Sequence, residues 1–184
     1  MGSTIWLMAA DDLSRLIRRS QEGDKDAFGE IYNLFLKRIF RFVYFSVRDR
    51  ELAADLTQTT FLKAWQSIKK FSLQRGSFQA FLFTIARNLV IDHGRKKKEV
   101  SLETIADFPS FENPEEDMER LSEKRRVLQA LSKLDRQDRE IVVFRYFEEL
   151  SFSEIARVTG KREGAVRVKV HRVLKKLKEH LEQK

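Results

Sequence analysis

Apolar residues recur at steps of three and four through the first half of the chain, which is the pattern of helices that each bury one face. The steps between Ala27 and Val43 predict one long helix, and a shorter helix is predicted over 11–22 before it. Two more helices follow, on either side of a break over 69–76. Three polar residues are the predicted N-caps of these helices: Asp24, Asp49 and Ser77. The first half therefore predicts a helical bundle.

The same periodicity returns from Val127 to the end of the chain. Asp135 and Ser151 are predicted caps, and Gly160 can take the positive φ that a tight turn requires. The last helix is predicted to turn one apolar stripe inward: Val166, Val170, Val173, Leu174, Leu177 and Leu181. Only two prolines and seven glycines interrupt the whole chain, so the pattern predicts an all-α protein.

The net charge of +8 and a pI near 9.8 favour a polyanionic partner, and the charge is strongly segregated. Between Glu99 and Glu123, nine acids face a single base, so this segment carries −8 and the rest of the chain +16. Both prolines lie in it as well. The pattern predicts an acidic linker over 99–126 between two small helical domains, 1–98 and 127–184, although composition alone equally fits a solvated loop without a task.

Composition also excludes several classes of function. With no cysteine, the chain forms no disulfide and no thiolate metal site, and its three histidines are far apart. No apolar run reaches the roughly 20 residues of a membrane span, and the first residues lack the basic start of a signal peptide. Neither convergent carboxylates nor a phosphate-cradling glycine loop is present in the sequence. We therefore expect a cytoplasmic protein with no metal, cofactor, membrane insertion or enzymatic activity.

A helix-turn-helix pattern covers 150–172, where a short helix, the Gly160 break and a basic amphipathic helix follow one another. From Lys161 to Lys184, nine lysines and arginines stand against three glutamates. The side opposite the apolar stripe combines short and basic residues: Gly164, Ala165, Val168, His171, Arg172 and Lys175, with Arg167 on one flank. Such a helix suits a DNA major groove, although a basic amphipathic helix is equally typical of an ordinary protein surface.

Two patterns in the first half also allow more than one interpretation. Four phenylalanines cluster around the break, just ahead of Asn88 and a basic run: Phe71, Phe78, Phe81 and Phe83. Rings interleaved with cations suit single-stranded nucleic acid, yet a hydrophobic core explains any one of them as well. Asp55, Gln58 and Thr59 share one polar helix face, which is either a docking surface or simply solvated.

Taken together, these segments resemble a known family. The stretches DAFGEIY at 26–32, ADLTQTTFLKAW at 54–65 and FQAFLFTIARNLVID at 78–92 resemble the promoter-melting domain of bacterial sigma factors. The stretch from ALSKLDR at 130 to Lys175 resembles their C-terminal DNA-binding domain. The length, and an acidic link in place of a folded middle domain, resemble the extracytoplasmic-function group. The resemblance implies an alternative sigma factor with two helical domains.

For the first half, the resemblance implies two sets of contacts. Core RNA polymerase, through the clamp helices of its β′ subunit, would bind the row formed by Asp55, Gln58 and Phe61. The loop from Phe71 to Ser77, with Asn88 and Asp92, would capture flipped bases of the −10 element. Nearby phosphates would be held by four basic residues: Arg87, Arg95, Lys96 and Lys97.

For the second half, the resemblance implies duplex recognition at the −35 element and contact with the polymerase β flap. The implied reading positions are Arg162, Gly164, Ala165, Arg167, Val168, His171, Arg172 and Lys175, with Arg145 in support from an earlier helix. Ala165 and Val168 depart from the threonine and serine common in the family, and Phe81 replaces a common tryptophan. A thymine methyl is a suitable partner for either apolar side chain.

The resemblance further implies a cognate anti-sigma protein that masks the polymerase-binding surfaces. The main alternative is a free-standing helix-turn-helix regulator whose first half dimerises or senses a ligand. That alternative explains 127–184 equally well but gives no reason for the Asp55 and Gln58 row or for the Asn88 helix.

Overall fold

The computed structural model describes residues 10–96 and 118–182, and within these two ranges every regular element is helical. The predicted all-α class is confirmed. The chain divides into two compact units, Met1–Glu103 and Thr104–Lys184. None of the helices within the described ranges is long and apolar enough to cross a membrane.

The first unit is a four-helix bundle in which two short 3₁₀ turns separate the last two helices. The helices are α1 (Ala10–Gln21), α2 (Lys25–Val47), α3 (Arg50–Ser67) and α4 (Phe78–Lys96), and the turns are Ile68–Lys70 and Leu73–Arg75. The turns occupy the break that the sequence predicts between α3 and α4. Their backbone is locally hydrogen-bonded: the Phe71 N–H, for example, donates to the Ile68 carbonyl at 3.0 Å.

The three predicted N-caps of this unit are confirmed by their hydrogen bonds. Asp24 Oδ1 accepts from the backbone N–H of Ala27 at 3.0 Å, and Asp49 Oδ1 accepts from that of Leu52 at 3.0 Å. Ser77 Oγ accepts from the backbone N–H of Ala80 at 3.2 Å. The Ala27 N–H and, after it, the Arg19 guanidinium lower the pKa of Asp24. Each cap satisfies a backbone donor that the helix itself leaves without a partner.

The core of the bundle is built on α2, which packs against the other three helices. Ile31, Phe35, Ile39 and Phe42 are almost fully buried at the spacing of one helix face. Phe35 meets Phe78 of α4 at 6.0 Å between ring centroids. Burial of each such side chain stabilises the fold by roughly 1.5–3 kcal/mol, so this face fixes where α3 and α4 lie.

Over residues 118–182, the second unit contains four α-helices and one π-helical turn. They are α5 (Met118–Lys133), α6 (Arg136–Val142), the π turn (Val143–Phe147), α7 (Phe152–Thr159) and α8 (Glu163–Glu182). α5 begins earlier than Val127, where its apolar pattern starts, and so extends into the stretch predicted as linker. The rest of that stretch, 99–117, lies outside the described residues. α6, which begins after the predicted cap Asp135, ends at Val142 and continues as the π turn.

α8 closes the core of this unit by packing against α5, α6 and α7. Leu131, Leu134, Val142 and Val173 form a buried cluster there. Leu174 was predicted to face inward, and this prediction is wrong, since 37% of its surface is exposed. Consecutive residues of a helix point about 100° apart, so the burial of Val173 turns Leu174 toward the edge of the core.

Candidate nucleic-acid and protein interface

α8 presents an exposed surface on the side away from the core. Val166, Val170 and Val173 are buried, and their spacing fixes which side of the helix faces inward. All the reading positions predicted on this helix and on the turn before it are exposed: Arg162, Gly164, Ala165, Arg167, Val168, His171, Arg172 and Lys175. The structure leaves every one of them accessible to a partner.

A tight turn joins α7 to α8. α7 begins with a reciprocal capping box, in which Ser151 Oγ accepts the Glu154 backbone N–H at 3.2 Å and the Glu154 carboxylate accepts the Ser151 backbone N–H at 2.7 Å. It ends at Gly160, whose φ is 68°. The next backbone N–H, of Lys161, then donates to the Ala156 carbonyl at 2.9 Å. Both the cap and the left-handed glycine are confirmed, and together they define a helix-turn-helix.

One aromatic ring holds two of the predicted DNA-contacting arginines. The guanidinium carbons of Arg145 and Arg167 lie 4.8 and 4.6 Å from the centroid of Phe152. Arg145 Nη1 also donates to the Leu150 carbonyl at 3.1 Å, and Arg167 Nη2 pairs with Glu163 Oε1 at 2.6 Å. Phe152 and Glu163 were not among the site residues predicted from the sequence. The Glu163–Arg167 spacing of four residues was a usable signal for the second pair.

Asp138 of α6 is a fully buried carboxylate that pairs with two lysines of α8. Lys176 Nζ donates to Asp138 Oδ2 at 2.7 Å, and Lys169 Nζ pairs with Oδ1. Burial alone would raise the pKa of Asp138, but the hydrogen bonds from Lys169 and Lys176 outweigh it, and the pKa is lowered. The same hydrogen bond raises the pKa of Lys176. Two of the lysines that the sequence counts toward a basic helix are therefore engaged with α6.

The loop between α3 and α4 rests on a phenylalanine cluster. The Phe71 ring lies 5.2 Å from that of Phe78 and 5.0 Å from that of Phe81. Phe78 is buried, whereas Phe71 and Phe81 are half-buried. Phe83, which the sequence groups with these rings, packs against Phe42 of α2 at 5.5 Å. Residues two apart on a helix point in nearly opposite directions, so Phe81 and Phe83 cannot share one face.

α4 carries the polar residues predicted to contact the −10 element. Asn88, Asp92 and Arg95 are exposed and follow one another at steps of four and three, which places them on one helix face. Arg87 is half-buried and lies beside this row. Lys96 is the last residue of α4, and the predicted contact Lys97 lies outside the described residues.

α3 carries the row predicted to dock on polymerase. Asp55 and Gln58 are exposed, and Leu62, one turn further along the same face, is 57% exposed. Phe61 was predicted to belong to this row, but it is only 3% exposed and its ring packs 4.6 Å from that of Tyr32. It supports the row from below and cannot itself reach a partner. Leu62 was not among the docking residues predicted from the sequence.

The second unit contains a helix-turn-helix with an exposed basic face, and the bundle exposes polar rows on two helices. These features are typical of a DNA-binding protein. The sequence matches two family descriptions that agree with this division. Residues 31–100 match "Sigma-70 region 2", and residues 119–177 match "Sigma-70, region 4".

Individual relatives give the same result. The ECF RNA polymerase sigma factor BldN of Streptomyces coelicolor is 38% identical over 90% of this chain, which spans 64% of BldN. SigM of Bacillus subtilis, also an ECF RNA polymerase sigma factor, is 30% identical over 81% of this chain and 91% of its own length. The sigma factor RpoE of Bartonella quintana, solved in complex with the anti-sigma factor NepR, superposes with a TM-score of 0.71 at 26% identity, over 87% of this chain and 99% of that one. The chain belongs to the extracytoplasmic-function group of RNA polymerase sigma factors.

Proposed function

We propose that this chain recruits core RNA polymerase to promoters by reading duplex DNA at −35 with α8 and by capturing melted −10 bases with the bundle. It performs no chemistry of its own and works in the cytoplasm on DNA and polymerase. The observation that carries the proposal is that every predicted reading position on α8 and on the turn before it is exposed, in a well-formed helix-turn-helix.

At the −35 element, short and basic residues act together. Gly164 and Ala165 leave room for the start of α8 to approach the bases, and arginines such as Arg172 reach guanine edges or phosphates. Val168 is exposed and apolar, which suits a thymine methyl. Arg145 supports the same surface through its contact with Phe152.

At the −10 element, the exposed row of Asn88, Asp92 and Arg95 lies on the helix that follows the phenylalanine loop. Removing a base from the stack costs a few kcal/mol. Stacking of the base on an aromatic ring and hydrogen bonds to its edge offset this cost. Within the phenylalanine cluster, the half-buried Phe71 and Phe81 are the rings on which a base could stack. Arg87, Arg95, Lys96 and Lys97 would hold the neighbouring phosphates.

Core polymerase docks on α3, where Asp55, Gln58 and Leu62 form an exposed row of one acid, one amide and one apolar side chain. The clamp helices of the β′ subunit are the proposed partner of this row. The β flap of the polymerase is the proposed partner of the second unit. The acidic segment over 99–123, whose last residues belong to the start of α5, connects the two domains, and its charge suits a positively charged channel of the enzyme. Phe61 acts only through its support of the row.

A cognate anti-sigma protein is the proposed regulator, and it covers the same polymerase-binding surfaces. The solved complex of RpoE with NepR supports this, because that sigma factor matches the present chain over most of its length. A free-standing regulator is not favoured, since it leaves the exposed rows on α3 and α4 without a partner.

Run-off transcription with core polymerase on genomic fragments tests the proposal. The wild-type chain should produce discrete transcripts, and Asp55→Ala with Gln58→Ala should weaken core binding by roughly tenfold or more, because interface contacts of this kind cost above ~1 kcal/mol each when central. Unchanged affinity of the double variant for core enzyme would remove the docking assignment. No transcript from any fragment would remove the function.

A further inference from the structure

Gln21 links the end of α1 to the phenylalanine loop. It is the last residue of α1 and is half-buried. Its side-chain Nε2 donates to the Ile68 carbonyl at 3.0 Å and to the Phe71 carbonyl at 2.8 Å. These two carbonyls lie at the two ends of the first 3₁₀ turn, so one side chain holds the whole turn from outside.

The chemistry of this contact is specific to an amide. The Nε2 group has two hydrogens, and each has a carbonyl acceptor within hydrogen-bond distance. A glutamate of the same shape has no hydrogen to offer when ionised, and its negative oxygens would face two carbonyl oxygens. A leucine would leave the position neutral but would provide no donor.

The contact fixes the part of the loop that presents the rings. Ile68 is 1% exposed and anchors the turn in the core, and the Phe71 ring rests on Phe78 and Phe81. Gln21 fixes the Phe71 backbone on its other side. Beyond Phe71 the loop opens to solvent, and Leu73 is 44% exposed. The loop is thus held at its base and accessible at its tip.

We infer that Gln21 is a positioning residue for base capture, which orders the Phe71 loop before DNA arrives. The inference rests on the proposed function of that loop. Ordering a flexible loop costs conformational entropy, and a loop that is already fixed does not incur this cost when the base binds. α1, which carries none of the predicted DNA contacts, therefore contributes to promoter opening through two hydrogen bonds.

The test uses holoenzyme assembled from core polymerase and the full chain, on a promoter mapped by run-off transcription. Gln21→Glu should lower affinity for the single-stranded non-template −10 oligonucleotide roughly tenfold, since each lost hydrogen bond has an effect of about threefold or more. Opening of the duplex promoter, followed by 2-aminopurine fluorescence at −10, should fall in parallel. Affinity for core polymerase and for a −35 duplex should stay within about twofold of wild type.

Gln129→Glu is the matched control, because Gln129 is an exposed amide of the second unit and the chemical change is the same. Gln21→Leu separates loss of the donor from the added charge and should show the same defect. If Gln21→Glu and Gln21→Leu open the promoter as well as wild type does, the inference is overturned. It is also overturned if the variants lose affinity for core polymerase to the same extent as affinity for the −10 oligonucleotide. If both variants fail to fold, Gln21 acts on the bundle rather than on the loop, which also overturns it. A wild-type holoenzyme that opens no promoter rejects the proposed function itself.

Discussion

Phe152 is a single residue on which two arginines of the second unit depend. Each guanidinium lies within 5 Å of its ring centroid, and such contacts contribute about 0.5–1 kcal/mol at exposed sites. Two like charges beside one ring repel each other, and Glu163 relieves part of that repulsion through its pair with Arg167. The ring therefore restricts Arg145 and Arg167 to conformations that suit planar, bidentate binding of a base or phosphate.

We predict that Phe152→Leu weakens −35 duplex binding by the holoenzyme about threefold to tenfold, because both arginines must then be ordered on binding. Phe152→Tyr keeps the ring and should bind like wild type. Fluorescence anisotropy with a labelled −35 duplex measures the difference. Equal affinities of the leucine and tyrosine variants would show that the ring does not position the arginines.

The short helix α6 holds the longer helices α5 and α8 through two consecutive charged residues, Asp138 and Arg139. Asp138 pairs with Lys169 and Lys176 of α8. Arg139, also buried, donates to the Leu131 and Leu134 carbonyls at 2.9 and 2.8 Å and so caps the end of α5. The position of the reading helix therefore depends on polar contacts as well as on the buried valines.

We predict that Asp138→Asn lowers the free energy of unfolding by about 1.5–3 kcal/mol at pH 7, the usual range for a hydrogen bond to a charged group. The pKa of Asp138 is lowered in the folded state. Its contribution is therefore full above the unfolded value of about 3.9 and is lost as pH falls through the lower folded value. Denaturation of wild type and variant should converge in acid.

Asp11→Asn provides the control for that experiment, since Asp11 is exposed on α1 in the other unit. It should unfold like wild type at every pH. A difference between Asp138→Asn and wild type that persists undiminished at low pH would contradict the ion-pair explanation and would indicate a packing defect instead.

Features that depend on neighbouring residues, such as helix caps, were predictable from the sequence. Contacts between residues far apart in the chain were not. The caps Asp24 and Ser151 act on residues two and three positions away, so their signal is complete within one turn. The two bonds of Gln21 span 47 and 50 residues, and the bond from Lys176 to Asp138 spans 38. No periodicity reports such pairs. Phe61 and Leu62 are adjacent and both apolar, yet Phe61 is buried against Tyr32 whereas Leu62 is 57% exposed.

At the scale of the whole molecule, the two units offer different chemistry to DNA. The second unit exposes short and basic residues along α8, which suits a duplex groove. The first exposes an amide and a carboxylate on α4 behind a phenylalanine loop, which suits unpaired bases. Neither set of residues duplicates the other, so we expect promoter binding and promoter opening to be separable by mutation.

We predict that Asn88→Ala impairs promoter opening and leaves −35 duplex binding intact, because the proposed partner of Asn88 is a base that has left the stack. Arg172→Ala should instead weaken duplex binding and reduce its salt dependence by about one phosphate contact. Permanganate reactivity of −10 thymines measures opening, and anisotropy measures duplex binding. Equal loss of both activities in Asn88→Ala would count against this division.

The engagement of Lys169 and Lys176 with Asp138 has a consequence for binding to DNA that contains no promoter. Cations that stay paired with a buried carboxylate are less available to replace the counterions of a phosphate backbone. We therefore expect such non-specific binding to be weaker, and to depend less steeply on salt, than the number of basic residues on α8 alone would indicate.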